Sequence, residues 1–376
     1  MSTLNVEGIK NAAASSDAIT LVADGTATAK LTNRLNRNLI TNGDMRINQR
    51  YGTSSSTEKD RVTVDRWRES NPGASGMSHQ TVTDGPPGFE YSEKMTMGSS
   101  AYSTGSTNSM FFQQTIEALD CAHLQLGTSG AKKYTLSFWV KASIAGTYSL
   151  ASGNTSSGGW TGSGNTTRSF ITTYTVSQAN TWEYKTITFT GDTSGTWNRN
   201  DTNGGLSIIF DLGSGSAHEG TAGQWNSGDN FRVQNSVLMG PTANSTWQIT
   251  GVQLEDSDYA TEFEHRNYSE ELLRCQRYYE VVRMSTGTAM FHAAGNSTIG
   301  FVSHWWFKAD KRIGTPTITV KGTASFKLDN MNAVTLTGMF TAPDHVMFYN
   351  ANANGGSFRL FDTSQAICIS AAAELS

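Results

Sequence analysis

The segment Tyr134-Thr-Leu-Ser-Phe-Trp-Val140 places a large apolar side chain at every second position. Successive side chains of a β-strand point to opposite faces of its sheet, so this period of two predicts a strand with one buried face. Polar, glycine-rich loops separate further strand-like segments, a pattern that favours an antiparallel two-sheet sandwich. These segments lie at residues 147–151, 168–176, 181–190, 205–212 and 246–254. In residues 181–190 the alternation is imperfect, and the sequence leaves open which face points inward.

The composition fits a folded β protein better than a helical or disordered one. Charged residues make up 16% of the 376 residues, well below the usual quarter, while aromatic residues reach 10%. This length allows two or three domains. The formal net charge of -4 and the lack of a dense basic run in the sequence argue against nucleic acid as a partner.

The sequence gives no sign of export or membrane insertion. The first residues, Met1-Ser-Thr-Leu-Asn-Val-Glu7, lack the basic and apolar regions of a signal peptide. No stretch approaches the roughly 20 apolar residues that span a bilayer. We therefore expect synthesis in a cytoplasm and no insertion into a membrane.

Four segments are predicted along the chain. Residues 1–38 contain two short extended pieces that cannot bury a core alone, which suggests an attachment and oligomerisation segment, with a flexible leader as the alternative. Residues 39–264 are expected to form a large β-sandwich. Residues 265–284 are expected to contain a short connector helix, and residues 285–376 a second, smaller β domain.

The predicted helix has charges suited to its ends. Ser269 is expected to cap the free amides, and the acidic Glu270 and Glu271 lie near the positive end of the helix dipole. One helical face carries Leu272, Cys275, Gln276 and Tyr279. This face predicts a helix that packs against the rest of the protein.

Three separated signatures resemble one family of proteins. The first is residues 27–50, which include Asn38-Leu-Ile-Thr-Asn-Gly-Asp44, with Val64-Asp-Arg-Trp67. The second is residues 134–142 with Thr181-Trp-Glu-Tyr184. The third is Ile249-Thr-Gly-Val-Gln-Leu-Glu255 with residues 261–266 and 275–279. In this order they resemble bacteriophage tail-fibre and related virion proteins that carry a carbohydrate-binding-module-like jelly roll. The resemblance covers residues 27–279.

The resemblance implies a homotrimeric tail fibre of the virion. Its N-terminus would be held by a phage tail or adaptor protein, and its outer parts, including residues 285–376, would contact lipopolysaccharide or another host cell-surface glycan. The expected function is host recognition and adsorption without catalysis. The alternatives are a purely structural decoration or bridging protein of the particle and a polysaccharide depolymerase.

Five tryptophans are candidates for contact with a glycan, because a flat aromatic face packs against sugar C–H groups. Trp160, Trp197 and Trp225 lie in polar, glycine-rich loops, although a loop tryptophan often folds back over a sandwich edge. Trp305 and Trp306 are adjacent, so in a strand one points inward and the other outward, and either could line a distal contact. The remaining tryptophans, in strand-like contexts, are expected in the core: Trp67, Trp139, Trp182 and Trp247.

No catalytic residue is predicted. A glycosidase needs two carboxyl groups about 5 to 10 Å apart. The spacing of the available carboxylates singles out no pair among Asp192, Asp201, Asp211, Glu219 and Asp229. The sequence also lacks GxSxG, HExxH and P-loop strings, and His265 beside Glu264 is expected to be an interfacial or hydrogen-bonded group rather than a base.

No cofactor is expected, and the one candidate metal is a structural calcium. Asp44 near the first strand and Glu255 or Asp256 after the last could hold a structural calcium, but turn capping explains the same residues. The three cysteines are odd in number and lack CxxC spacing, which predicts free buried thiols rather than disulfides or a zinc site. They are Cys121, Cys275 and Cys368.

Overall fold

The computed structural model describes residues 8–9, 19–21, 23, 27–29, 36–59, 62–154, 168–283, 289–295, 301–320, 325–328, 338–350, 356–361 and 367–374. The chain is almost entirely β, as the alternation of apolar side chains predicts. None of the helices in these ranges has the length and apolar character needed to cross a bilayer.

A small antiparallel meander forms at the N-terminus. Its strands are β1 (Gly8–Ile9), β2 (Ile19–Leu21) and β3 (Ala27–Ala29), in the order β1-β2-β3. The side chains of Ile9 and Leu21 are 52% and 39% exposed. Strands of two or three residues bury too little surface to be stable alone.

Two facing sheets form the central sandwich. The chain runs through β4 (Arg68–Ser70), β5 (Ser78–Val82), β6 (Ser92–Thr96), β7 (Phe111–Glu117), the short helix α1 (Ala118–Cys121), β8 (Tyr134–Ala142), β9 (Gly146–Gly153), β10 (Arg168–Val176), β11 (Glu183–Phe189), β12 (Gly204–Asp211), β13 (Trp225–Ser227) and β14 (Thr246–Glu255). One sheet has the order β13-β10-β9-β12-β7-β4, and the other has the order β11-β8-β14-β6-β5. Neighbouring strands that are far apart in sequence, such as β8 and β14, confirm the predicted jelly-roll sandwich.

The core lies between the two sheets. Tyr134, Leu136 and Phe138 of β8 are fully buried, as their period of two predicts. Trp67 stacks on Phe112 at 4.9 Å between ring centroids, in the same cluster. A second apolar cluster covers the outer face of the six-stranded sheet with Phe111, Ala151, Ile171, Ile209 and Phe231. The outer face of the five-stranded sheet is covered only in part, since Tyr184 of β11 is 43% exposed.

The segment before β4 is tied to β14 and to the following helix. The amide of Leu39 donates to the carbonyl of Leu254, and that of Val252 donates to the carbonyl of Gly43. The side chain of Asn42 donates to the carbonyls of Ile47 and Asp65 at 2.8 and 3.0 Å. Residues of the first sequence signature therefore form buried hydrogen bonds that attach this segment to the sandwich.

The helix α2 (Tyr268–Gln276) is shorter than the predicted segment 265–284. Its N-cap is Asn267, whose side chain accepts from the amide of Ser269 at 2.9 Å, so the expectation that Ser269 provides the cap is wrong. As the residue just before the helix, Asn267 satisfies one of the free amides of the first turn. Of the predicted inward face, Cys275, Gln276 and Tyr279 are buried, although Tyr279 lies beyond the end of the helix.

In the described part of the chain after the helix, the strands form three small sheets. Their strands are β15 (Tyr279–Arg283), β16 (Ala289–Gly295), β17 (Phe301–Trp306), β18 (Thr317–Val320), β19 (Ser325–Leu328), β20 (Gly338–Thr341), β21 (His345–Asn350), β22 (Gly356–Phe361) and β23 (Ile367–Ala372). The sheets have the orders β15-β23-β18, β16-β22-β19 and β17-β21-β20. The last residues of the predicted helix segment thus belong to a strand, β15.

Ion pairs connect these strands to the sandwich. Glu374, after β23, lies 2.8 Å from Arg50 Nη2 and 3.5 Å from Arg66 Nη1. Arg277, after α2, donates two hydrogen bonds of 2.8 and 2.9 Å to Glu117 of β7. Charge-assisted hydrogen bonds of this length add geometric specificity to the contact between the two parts.

Candidate functional site

Two aromatic side chains lie side by side on the outer face of the five-stranded sheet. Trp139 of β8 pairs directly with Tyr184 of β11, and their ring centroids are 5.3 Å apart. Leu136 and Phe138 of β8 point into the core, so Trp139, the next residue along the strand, points away from it. Tyr184 is 43% exposed. The structure also answers the question left open for residues 181–190, since Phe189 is buried and Tyr184 faces outward.

Two loops rise beside this aromatic pair. Residues 83–91 bring Phe89, and residues 256–265 bring Phe263 and His265, into one aromatic group. Phe89 lies edge-on to Phe263 at 5.0 Å between ring centroids. At the base of this group, β14 contains a bulge at which Gly251 has φ 62°, and the ring of Phe89 occupies the space a side chain there would need.

The loops and the sheet enclose a groove of about 770 Å³, within the range of ligand sites. Its aromatic groups supply flat apolar faces, and Ser137, Thr186 and Glu262 supply hydrogen-bonding groups. The full lining is Pro87, Gly88, Phe89, Ser137, Trp139, Tyr184, Thr186, Gly251, Ala260, Thr261, Glu262, Phe263 and His265. Such a mixture suits a ligand with both C–H faces and hydroxyl groups.

A buried network of charges holds the wall of the groove in place. Glu264 accepts from the amide of Asn38 at 3.0 Å, and Arg266 lies 3.2 Å from both Glu264 and Glu271 of α2. Thr261 donates to Glu255 at 2.5 Å. Side chains that are fixed by such contacts keep a binding surface in one shape before the ligand arrives.

The predicted loop tryptophans do not form this groove. Trp160 lies outside the described residues. Trp197 is only 7% exposed, its Nε1 donates to Asp192 Oδ2 at 3.2 Å, and its ring packs edge-on against Trp225. Trp197 thus folds back over the sandwich edge, the alternative that the sequence left open for a loop tryptophan. Trp225 is half-buried on Phe170 and donates to the carbonyl of Thr190 at 2.9 Å.

The adjacent Trp305 and Trp306 point to opposite faces of β17, as alternation predicts. Trp305 is 5% exposed and packs edge-on against Phe307, whereas Trp306 is 62% exposed and lies 4.6 Å from the ring of His345. Neither residue lines the groove. A distal contact with a glycan through Trp306 stays a prediction.

Of the four tryptophans predicted to lie in the core, two do so. Trp67 and Trp247 are fully buried. Trp139 lines the groove, and Trp182 is half-buried with Lys141 Nζ 5.0 Å above its ring. The signal for Trp139 was present in the sequence, since its neighbours at positions 136, 138 and 140 occupy the opposite face of the same strand.

The five carboxylates considered for catalysis lie elsewhere. Asp192 binds Arg168 through two hydrogen bonds of 2.7 Å, and Asp201 accepts from the amide of Asn203 at 2.7 Å. Glu219 lies 3.5 Å from Arg232. Burial raises the pKa of Asp211 to about 6. Of the described residues that line the groove, Glu262 alone is a carboxylate.

The suggested calcium site gains no support from the geometry. Asp44 pairs with Arg46 at 3.0 Å, Glu255 accepts from Thr261, and Asp256 pairs with Lys132 at 2.6 Å. Within the described ranges, no three His, Cys, Asp or Glu side chains come together as metal ligands. Cys121 and Cys275 are free and buried, as predicted, and burial raises the pKa of both thiols.

Comparison with solved structures finds carbohydrate-binding modules. A family 4 module has 17% identity and a TM-score of 0.31 over 58% of this chain and 99% of its own. A family 61 module in complex with β-1,4-galactotriose has 12% identity and a TM-score of 0.29, over 59% and 99%. A family 11 module from Clostridium thermocellum with a mixed-linked tetrasaccharide has 11% identity and a TM-score of 0.29, over 56% and 98%. These values are low, so the assignment of the groove depends on its own residues.

No family model matches the sequence. No curated protein matches it either.

Proposed function

We propose that the protein binds a carbohydrate chain in the groove above β8 and β11 without catalysing a reaction on it. The observation that carries this proposal is the pair Trp139 and Tyr184, which lies open on the outer face of a sheet. Two neighbouring aromatic faces offer stacking to successive sugar units. Hydroxyl groups of the sugar then find partners in Ser137, Thr186 and Glu262 at the same surface.

The chemistry of the groove favours binding over hydrolysis. Glycoside hydrolysis requires an acid and a second carboxylate on opposite sides of the scissile bond. Among the described lining residues, Glu262 has no second carboxylate to complete such a pair. The groove therefore suits recognition of a glycan that leaves unchanged.

The biological setting that we propose is a homotrimeric tail fibre of a bacteriophage virion, fixed by its N-terminus to a tail or adaptor protein. Support comes from the sequence signatures and from the β1-β2-β3 meander, whose Ile9 and Leu21 gain burial only against another surface. Three weak sites on one fibre, and several fibres on one particle, would strengthen attachment to a host glycan through effective concentration.

The test measures binding of the full-length protein to purified host-surface polysaccharides and lipopolysaccharide. Trp139→Ala and Tyr184→Ala are expected to weaken binding at least tenfold, which corresponds to about 1.4 kcal/mol. Thr188→Ala is the matched control, because Thr188 is exposed on the same outer face of β11 but does not line the groove. Circular dichroism should show that all three variants are folded.

Three results would change the proposal. Unchanged binding by both aromatic variants removes the groove as the glycan site. Absence of glycan binding together with normal assembly into particles favours a structural decoration protein. Release of reducing sugar ends from the polysaccharide, lost on Glu262→Gln, favours a depolymerase.

A further inference from the structure

A second pocket shares no lining residue with the groove. It encloses about 280 Å³ and is lined by the segment around Asn48, by Thr81 of β5, by Tyr91, by the start of α2 and by Val281 of β15. Its volume is close to the lower limit for a ligand site, so it suits one small molecule. Pockets at the junction of two parts of a fold are preferred places for ligands, and Val281 brings the C-terminal strands to this one.

Two tyrosines give the pocket its aromatic surface. Tyr268, the first residue of α2, is 53% exposed, and Tyr91 lies just before β6. Neither phenol hydroxyl has a hydrogen-bond partner among the described residues. Two such groups in one small concave site can donate to a bound molecule and accept from it. We call this site the Tyr91–Tyr268 pocket.

Arg46 is held over the pocket in a fixed orientation. Its Nε lies 3.0 Å from Asp44, its Nη2 donates to the carbonyl of Arg266 at 2.7 Å, and its guanidinium lies 5.7 Å from the centre of the Tyr268 ring. Because Asp44 balances the charge, Arg46 offers directed N–H groups more than a net positive field. A neutral ligand is therefore favoured over an anion.

Buried polar side chains lie behind the wall of the pocket. Thr81 lines the pocket, accepts from Asn48 at 3.0 Å and donates to Glu93 at 2.8 Å. Glu93 is fully buried, and its second oxygen faces His79 Nδ1 at 3.4 Å. Asn48 is thus held by Thr81 and retains a second amide hydrogen for a ligand.

We propose that the Tyr91–Tyr268 pocket binds a single neutral sugar unit, independently of the groove. Aromatic faces, directed N–H groups and free hydroxyls in a cavity of this size match one hydroxyl-rich ring. A sugar at this place would contact α2 and β15 together, at the junction between the sandwich and the C-terminal strands. The proposal does not require that the groove binds a glycan.

The experiment uses saturation-transfer NMR and equilibrium dialysis on the full-length protein. The probes are the methyl glycosides of glucose, galactose, mannose and N-acetylglucosamine, with methyl glucuronide as the charged comparison. At least one neutral glycoside is expected to bind with millimolar affinity. Tyr268→Ala should weaken it at least tenfold, whereas Tyr184→Ala in the groove should leave it unchanged.

Each contrary result overturns the proposal. No neutral glycoside bound by the wild-type protein means that the pocket does not take a sugar. Binding of the glucuronide alone means that Arg46 selects an anion. Loss of monosaccharide binding in Tyr184→Ala but not in Tyr268→Ala places the sugar in the groove.

Since Tyr268 is exposed, its replacement should keep the fold. Tyr91→Phe, which removes one hydroxyl only, provides a second variant.

Discussion

The ring of Phe89 lies over Gly251 so closely that a Cβ atom on residue 251 would come within 2.7 Å of Phe89 Cζ. This contact joins the bulge of β14 to the loop that forms one wall of the groove. Gly251 also has φ 62°, a left-handed conformation that side chains disfavour. One glycine thus fixes both the path of a strand and the position of an aromatic wall.

Gly251→Ala should destabilise the protein and weaken glycan binding together. The backbone conformation alone costs about 1–2 kcal/mol with a side chain, and the clash with Phe89 adds about 1–3 kcal/mol. Gly223→Ala is the matched control, since Gly223 has φ 79° with nothing within 4 Å of an added Cβ. Chemical denaturation and groove binding measure both effects; equal costs for the two variants would show that the Phe89 contact is unimportant.

Trp197→Ala should destabilise the sandwich and leave groove binding unchanged. Trp197 is 7% exposed and donates to Asp192 and to the carbonyl of Ser194. Removing a buried tryptophan costs about 3–5 kcal/mol. The checks are the unfolding free energy and polysaccharide binding below the unfolding temperature. A stable variant that has lost glycan binding would restore Trp197 as a sugar platform.

Trp305→Ala and Trp306→Ala should differ sharply although the residues are adjacent. Trp305 is 5% exposed, so its removal leaves a cavity, with a cost of about 3–5 kcal/mol. Trp306 is 62% exposed, and its removal should change the free energy of unfolding by less than about 1 kcal/mol. Thermal and denaturant unfolding of the two variants compare them directly. Similar losses in both would mean that Trp306 is covered in the assembled protein.

The buried Asp211 should make stability fall as pH rises. Burial raises the pKa of Asp211 to about 6 in the folded protein, while the unfolded chain titrates near pH 4. The folded state therefore holds the proton more tightly, and the stability from this group, about 2–3 kcal/mol, is present below about pH 4 and lost as pH rises through 6.

Asp211→Asn should flatten this pH dependence. The asparagine can still accept from the amide of Ser214, which lies 3.0 Å from Asp211 Oδ1, and it cannot ionise. Urea denaturation at several pH values between 4 and 8 tests this. Some slope should remain, because burial also raises the pKa of Asp65 to about 6. An identical slope in Asp211→Asn would show that Asp211 titrates normally.

Only part of the candidate groove could be predicted from the sequence. Trp139 could have been assigned outward, since Leu136 and Phe138 occupy the other face of β8. Nothing local in the sequence pairs Trp139 with Tyr184, which lies 45 positions later, or brings Phe89 and Phe263 beside them. The loop tryptophans were predicted as glycan contacts because their loops are polar and rich in glycine. Their exposure, however, depends on which other segments cover them.

The sequence by itself determined the class of structure. Alternation of apolar and polar side chains is a local property, because each residue of a strand faces opposite to its neighbours, and it gave the strands, the inward residues of β8 and the opposed faces of Trp305 and Trp306. The tertiary structure alone decided which outward surfaces stay open. Packing of distant segments buries Trp197 at one edge, covers the six-stranded sheet around Phe231, and leaves Trp139 and Tyr184 uncovered.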